Sequence, residues 1–263
     1  MLRVVTLASL LAGAGTLLDS APAAVTARYR IQSHTQTVVD LSGFGVPNQD
    51  IGVDMTAWIA VTVSDTTGGR VLHTVLDSVV YEGGAPNFST EAANSARGGT
   101  FHGLLTPDGR VKDIKFTPPD NVFLAAVREM LQVVLARYKP GAQPGERWQD
   151  TLEIATSVAG SNTVSKATVD YVAIGPETVA GTPGQKFESK AAYTITGTID
   201  APQMGAMEVS GTGEGTGTHT VAADGLYGGG TSTAKLNQVL RTAMAPLPIP
   251  VTTTATTQVT RLP

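Results

Sequence analysis

The sequence GTGEGTGT, residues 211–218, places a glycine at every second position. Side chains of a β-strand point alternately to the two faces of a sheet, so one face of this strand carries backbone only. Glycine inside a strand is costly and marks a bend or the close approach of another part of the chain. We therefore expect either a bend at a barrel corner or, as the favoured interpretation, a helix packed against the bare face. That face is formed by Gly211, Gly213, Gly215 and Gly217.

The chain from Val25 onward has the composition of β-strands. Val, Thr and Ile dominate, and Gly, Asn, Asp and Pro recur about every ten to fifteen residues. Residues 55–63, MTAWIAVTV, alternate apolar and polar positions, and Asp224-Gly225 predicts a hairpin turn. Residues 70–83 also suit a helix, but their β-branched content favours a strand. We predict a mainly β fold: a strongly curved antiparallel sheet of about nine to eleven strands, forming a half-barrel or open barrel.

Residues 117–139 are the one segment with convincing helical features. Thr117 is a candidate N-cap, Pro118 suits the first turn, and Lys139-Pro140-Gly141 forms a stop signal. About twenty residues correspond to a rod of roughly 30 Å. Its apolar positions cover most of its circumference, so it must be covered on more than one side. We predict one long central helix packed in the concave face of the sheet.

The N-terminal segment, residues 1–23, has the pattern of a secretory signal peptide. Arg3 precedes an apolar stretch from Val4 to Leu18, and Ala21-Pro22-Ala23 supplies small residues for cleavage near Ala23. An uncleaved anchor is the alternative. The sequence contains no cysteine, which excludes disulfides and cysteine–zinc sites and favours a bacterial envelope over a eukaryotic extracellular space. We expect an exported protein, periplasmic or extracellular.

The remaining residues, 24–263, are interpreted as a single β-rich domain. Its parts are a first β half (24–116), the helix (117–139) and a second β half (140–263). A duplication of the two halves is left open, because residue identity between them is low. We find no later segment that is long and apolar enough to span a membrane as a helix.

Chemical motifs are scarce. The formal net charge is −4 and there is no basic run, which argues against a nucleic-acid partner. The four histidines form no metal-binding motif, and no nucleophile elbow occurs. We therefore predict no catalytic residue, metal ligand or cofactor, and interpret the protein as non-catalytic.

The order GRVKDIKF, helix, PGERWQD, in an exported β-rich chain, resembles the LolA/LolB/LppX superfamily of bacterial envelope half-barrels. The resemblance implies an apolar or lipid-like ligand in the hollow of the sheet. The wide apolar face of the helix supports this hypothesis. Its candidate lining residues are Phe123, Val127, Met130, Val134 and Tyr138. The alternative is a structural or interaction protein of the envelope, with an envelope protein as partner and a filled core.

Overall fold

The computed structural model of the protein describes residues 24–66, 69–84, 89–106, 111–119, 121–134, 139, 141–158, 161–201 and 205–263. The predicted signal peptide, residues 1–23, lies outside them. The described residues form eleven β-strands, two α-helices and one short 3-10 helix, Ser42–Phe44. The strands are β1 (Val25–Val39), β2 (Gln49–Thr66), β3 (Gly69–Gly83), β4 (Thr100–Leu105), β5 (Val111–Thr117), β6 (Arg147–Val158), β7 (Ser161–Val179), β8 (Thr182–Ala201), β9 (Gly205–Ala222), β10 (Tyr227–Arg241) and β11 (Ile249–Leu262). The helices are α1 (Thr90–Ala96) and α2 (Val122–Val134).

All eleven described strands belong to one antiparallel sheet, in the order β5-β4-β3-β2-β1-β11-β10-β9-β8-β7-β6. The chain starts at the centre of the sheet, meanders outward to the edge strand β5, and passes through α2 to the other edge strand, β6. It then meanders back until β11 pairs with β1. The predicted curved antiparallel half-barrel is confirmed, and residues 70–83 belong to a strand, β3, as predicted.

Alternation along the strands separates a buried face from a solvent-facing one. In β2, the inward residues from Met55 to Val63 are buried and the intervening residues are partly exposed. Large apolar side chains from β1 to β4 pack with both helices in one core cluster. Four α2 side chains in this cluster, Phe123, Leu124, Val127 and Leu131, are essentially fully buried. Each such side chain contributes about 1.5–3 kcal/mol of apolar burial.

The predicted start of the helix is wrong. Thr117 is the last residue of β5, and α2 begins at Val122. Asn121 caps it, because its Oδ1 accepts hydrogen bonds from the backbone N–H groups of Phe123 (2.9 Å) and Leu124 (3.2 Å). The described helix has 13 residues, so it spans about 20 Å. Over the residues that the structure describes, this helix is short, and the predicted long central helix is not supported. Residues 135–138 lie outside the described residues.

The short helix α1 was not predicted. Ser89 caps it, since its hydroxyl accepts a hydrogen bond from the backbone N–H of Ala92 at 3.1 Å. Asn121 joins the two helices: its side-chain amide donates to the carbonyl of Ala92 at 3.0 Å and to the Ser95 hydroxyl at 2.8 Å. The two helices therefore pack as one unit on the β1–β4 half of the sheet.

Helix α2 lies between the two edges of the sheet. Arg128 contacts both of them. Its guanidinium carbon lies 5.4 Å from the ring centroid of Phe116 in β5, and its Nη2 donates to the Ala155 carbonyl in β6 at 3.4 Å. The helix thus bridges the edge strands.

The glycine row of β9 is approached by the neighbouring strands. A Cβ atom added at Gly211 would lie 2.6 Å from the Asn237 carbonyl oxygen of β10, and one at Gly213 would overlap the Lys235 carbonyl oxygen. One at Gly215 would lie 3.0 Å from the Tyr193 ring of β8. Within the described residues, the three atoms closest to each such Cβ belong to β8, β9 or β10. The missing side chains therefore let these strands pack closely along the glycine row.

We predict that Gly213→Ala destabilises the protein by about 1–3 kcal/mol, because its methyl group overlaps the Lys235 carbonyl and the Leu236 side chain. Gly84→Ala is the control, since a Cβ at Gly84 meets no described atom within 4 Å. Denaturant unfolding measures both variants. Equal stability of the two would contradict the close packing of β9 on β10.

Candidate functional site

A cavity of about 450 Å³ lies in the concave side of the sheet. It is bordered by β6 to β11, by β1 and β2, and by Ala126 of α2. Its volume falls within the range of small-molecule sites, roughly 300–1,000 Å³. It is the strongest candidate for a functional site among the described residues.

The cavity exists because the second half of the sheet presents small side chains inward. Large inward residues such as Ile59 and Leu76 meet α1 and α2 in the first half. Toward the cavity, by contrast, β7 to β11 place eight glycine, alanine and serine residues between larger ones such as Tyr171 and Tyr193. The eight small residues are Ser165, Ala167, Ser189, Ala191, Gly215, Ser232, Ala234 and Ala255. Protein interiors are normally close-packed, so a gap of this size over small side chains indicates space for another molecule.

The lining is apolar with scattered hydroxyl groups. Val53, Leu152, Ile195 and Leu236 contribute half-buried apolar side chains. None of the described residues that line the cavity is Asp, Glu, Lys or Arg. Burial raises the pKa of Tyr193, so its hydroxyl stays protonated at neutral pH. The cavity therefore suits an uncharged molecule.

A hydrogen-bonded chain of polar side chains lies at one end of the cavity. The Nε2 atom of His219 is 2.8 Å from the Ser189 hydroxyl oxygen, and its Nδ1 atom is 3.1 Å from the Tyr227 hydroxyl. The Tyr29 hydroxyl donates to the Tyr227 carbonyl at 2.8 Å. Burial lowers the pKa of His219 to about 4, so the imidazole is neutral at neutral pH.

Gly217 makes room for this pair. A Cβ atom at Gly217 would lie 2.8 Å from His219 Nε2 and 3.1 Å from the Ser189 oxygen. In register, Ser189 of β8 lies directly opposite Gly217 of β9. Gly217 therefore leaves the space that the Ser189 and His219 side chains occupy.

The turn between β9 and β10 covers this end of the sheet. The predicted Asp224-Gly225 turn is confirmed, and Leu226 within it is fully buried. Arg261 of β11 makes a two-pronged ion pair with Asp224, at 2.7 Å and 3.3 Å, and Arg70 of β3 donates to the Asp224 carbonyl at 2.9 Å. Partial burial of Asp224 acts to raise its pKa, but these cations and the Leu226 N–H hold the pKa below its usual range. The turn is thus tied to two other strands.

The Ser189–His219 pair resembles a nucleophile and its base, but the third group differs from that of a triad. A catalytic His normally orients through a carboxylate that stabilises the imidazolium ion. Here Nδ1 of His219 faces the hydroxyl of Tyr227, and burial lowers the pKa of the imidazole. The geometry therefore favours neutral hydrogen bonding over proton abstraction.

Two of the five predicted lining residues lie in the core and do not line this cavity. Phe123 and Val127 are fully buried in the core with β1 to β4, and the α2 residue that lines the cavity is Ala126. Met130 and Val134 belong to α2, and Tyr138 lies outside the described residues. In the glycine row, Gly215 lines the cavity.

Sequence reasoning missed Ser189 and gave His219 no role. The two residues are 30 positions apart and meet only through the β8–β9 register. The one available sequence signal was that His219 follows the glycines at the same two-residue spacing and so lies on the same face of the strand.

Comparisons with known proteins assign neither a family nor a function to the chain. No protein-family model matches the chain, and no curated protein or solved structure is significantly similar to it. Within the described residues, no group of three or more His, Cys, Asp or Glu side chains is placed to hold a metal ion. In that same part of the chain, neither helix has the length and apolar character needed to cross a bilayer.

We predict that His219 makes stability depend on pH between 6.5, the ordinary pKa of histidine, and about 4. Below pH 6.5 the unfolded chain binds a proton that the folded chain does not, so stability falls as pH decreases and levels off below about 4. Between pH 7 and pH 5 the wild type should lose about 2 kcal/mol more than His219→Gln. Urea unfolding of both proteins across this range is the measurement. Parallel stability curves would contradict a neutral, buried His219.

Proposed function

We propose that the protein binds a small, uncharged and largely apolar molecule in the cavity of the half-barrel. The observation that carries this proposal is the combination of a volume of about 450 Å³ with a lining of small, apolar and hydroxyl side chains. Burial of apolar ligand surface supplies the driving force for such binding. The protein is then a binding or carrier module without catalytic chemistry.

The setting we propose is the bacterial cell envelope. The signal-peptide pattern of residues 1–23 supports export. A half-barrel with a hollow on its concave side is also what a relationship to the LolA/LolB/LppX superfamily requires, and that relationship remains part of the proposal. Carriage of an apolar molecule across an aqueous compartment is consistent with both features.

A second candidate function, protein interaction, is favoured by exposed apolar residues at the other end of the sheet. Met244 is 71% exposed, Val46 is 50% exposed and Leu247 is 49% exposed. They lie in the β1–β2 and β10–β11 loops. These loops are adjacent, because the backbone N–H of Asp40 in the first loop donates to the carbonyl of Pro250, just after the second loop, at 2.9 Å. Contact with a partner would cover these side chains. Crosslinking in cells tests this alternative, and a chain that crosslinks to nothing would argue against it.

Binding in the cavity can be tested by filling the cavity with a larger side chain. Ala191 lines the cavity, whereas its neighbour Ala192 is on the opposite, exposed face of β8. We predict that Ala191→Phe weakens binding of the neutral apolar dye N-phenylnaphthylamine by about tenfold or more, because the ring occupies ligand space. Ala192→Phe should bind the dye as the wild type does. Dye fluorescence titration measures the affinities, and thermal unfolding checks that both variants are folded.

Two results would contradict the proposal. One is a wild-type protein that does not bind the dye. The other is an equal affinity of all three proteins, which would place the dye outside the cavity.

A further inference from the structure

We propose that Ser189 and His219 recognise the hydroxyl head group of an uncharged amphiphile whose apolar chain occupies the rest of the cavity. This inference rests on the proposed function, since it names the class of ligand that the same cavity takes. The ligand class is that of a long-chain alcohol or another lipid with a neutral hydroxyl head.

The two ends of the cavity differ in the polarity of their side chains. Ser189 and the buried His219 line one end, near the β9–β10 turn. Ile195 lines the cavity six residues further along β8, which corresponds to about 20 Å of strand. In the strand register, Ile195 pairs with Ser165 of β7, which pairs with Ile154 of β6, so two apolar side chains flank one hydroxyl group at this end. An elongated molecule with one polar end matches this arrangement.

Ser189 can donate or accept a hydrogen bond, depending on the tautomer of His219. If His219 carries its proton on Nε2, it donates to Ser189, and the serine hydroxyl is free to donate to a ligand. If the proton is on Nδ1, it points to the Tyr227 hydroxyl, Ser189 donates to Nε2, and the serine oxygen accepts from a ligand. A ligand hydroxyl both donates and accepts, so it fits either arrangement.

The cavity favours an uncharged head group over an anionic one. A carboxylate or phosphate head would be removed from water without a cation among the described residues that line the cavity. Burial of an unpaired charge is strongly unfavourable. Burial also lowers the pKa of His219 to about 4, so the imidazole does not supply a positive charge at neutral pH. A neutral head group avoids the cost of burying an unpaired charge.

The test compares three probes of equal chain length on the purified full chain: dodecane, dodecanol and dodecanoate. Displacement of N-phenylnaphthylamine at neutral pH gives their affinities. We expect dodecanol to bind more tightly than dodecane and dodecanoate. Ser189→Ala should weaken dodecanol about three- to tenfold and leave dodecane and the dye unchanged, because one neutral hydrogen bond is lost.

Ser165→Ala is the matched control. Ser165 also lines the cavity, on β7, so its substitution removes a hydroxyl without touching the Ser189–His219 pair. This variant should retain the wild-type preference for dodecanol. Equal losses in both serine variants, an unchanged dodecanol affinity in Ser189→Ala, or tightest binding of dodecanoate would overturn the inference. A wild-type protein that binds neither the dye nor any of the three probes would overturn the proposed function itself.

A second measurement reports on His219 directly. We expect dodecanol to shift the imidazole nitrogen resonances of His219, which is one of four histidines in the chain, and dodecane to leave them unchanged. The shift should be absent in Ser189→Ala. A dodecanol complex with unperturbed His219 resonances would place the head group elsewhere and overturn the inference.

Discussion

The structure depends on the way α2 connects the two edges of the sheet. An eleven-stranded open sheet leaves unpaired backbone groups on β5 and β6, and such edges are prone to pair with other chains. Helix α2 lies between them, and Arg128 contacts Phe116 on one edge and the Ala155 carbonyl on the other. The curvature that brings the edges within reach of one helix also creates the hollow.

The two halves of that hollow differ in the size of their inward side chains. Large residues of β1 to β4 and the two helices fill the first half, whereas the alanine, serine and glycine residues among the inward positions of β7 to β11 leave the second half partly open. The glycine row contributes by allowing β8 and β10 to pack closely and by leaving room for the Tyr193 ring and the Ser189–His219 pair. The same glycines thus allow close strand packing and leave room for the site.

The sequence predicted what depends on local periodicity and missed what depends on strand order. Alternation identified β2, β-branched content identified the β3 segment, and the Asp-Gly dipeptide identified the turn at Asp224-Gly225. The helix start was misplaced because Thr117 and Pro118 satisfy capping rules, yet Thr117 pairs with Thr100 in the sheet and Asn121 is the cap. The Ser189–His219 pair depends on the register between β8 and β9, and the position of α2 between the edge strands depends on the strand order. A single sequence carries no local signal for either.

The central claim is that the open half of the barrel holds one molecule of ligand. Native mass spectrometry of the protein purified without detergent, before and after addition of dodecanol, tests this most directly. We expect each chain to carry one bound apolar molecule or to take up one molecule of dodecanol. A chain that stays ligand-free in excess dodecanol, at concentrations where it remains folded, would contradict it.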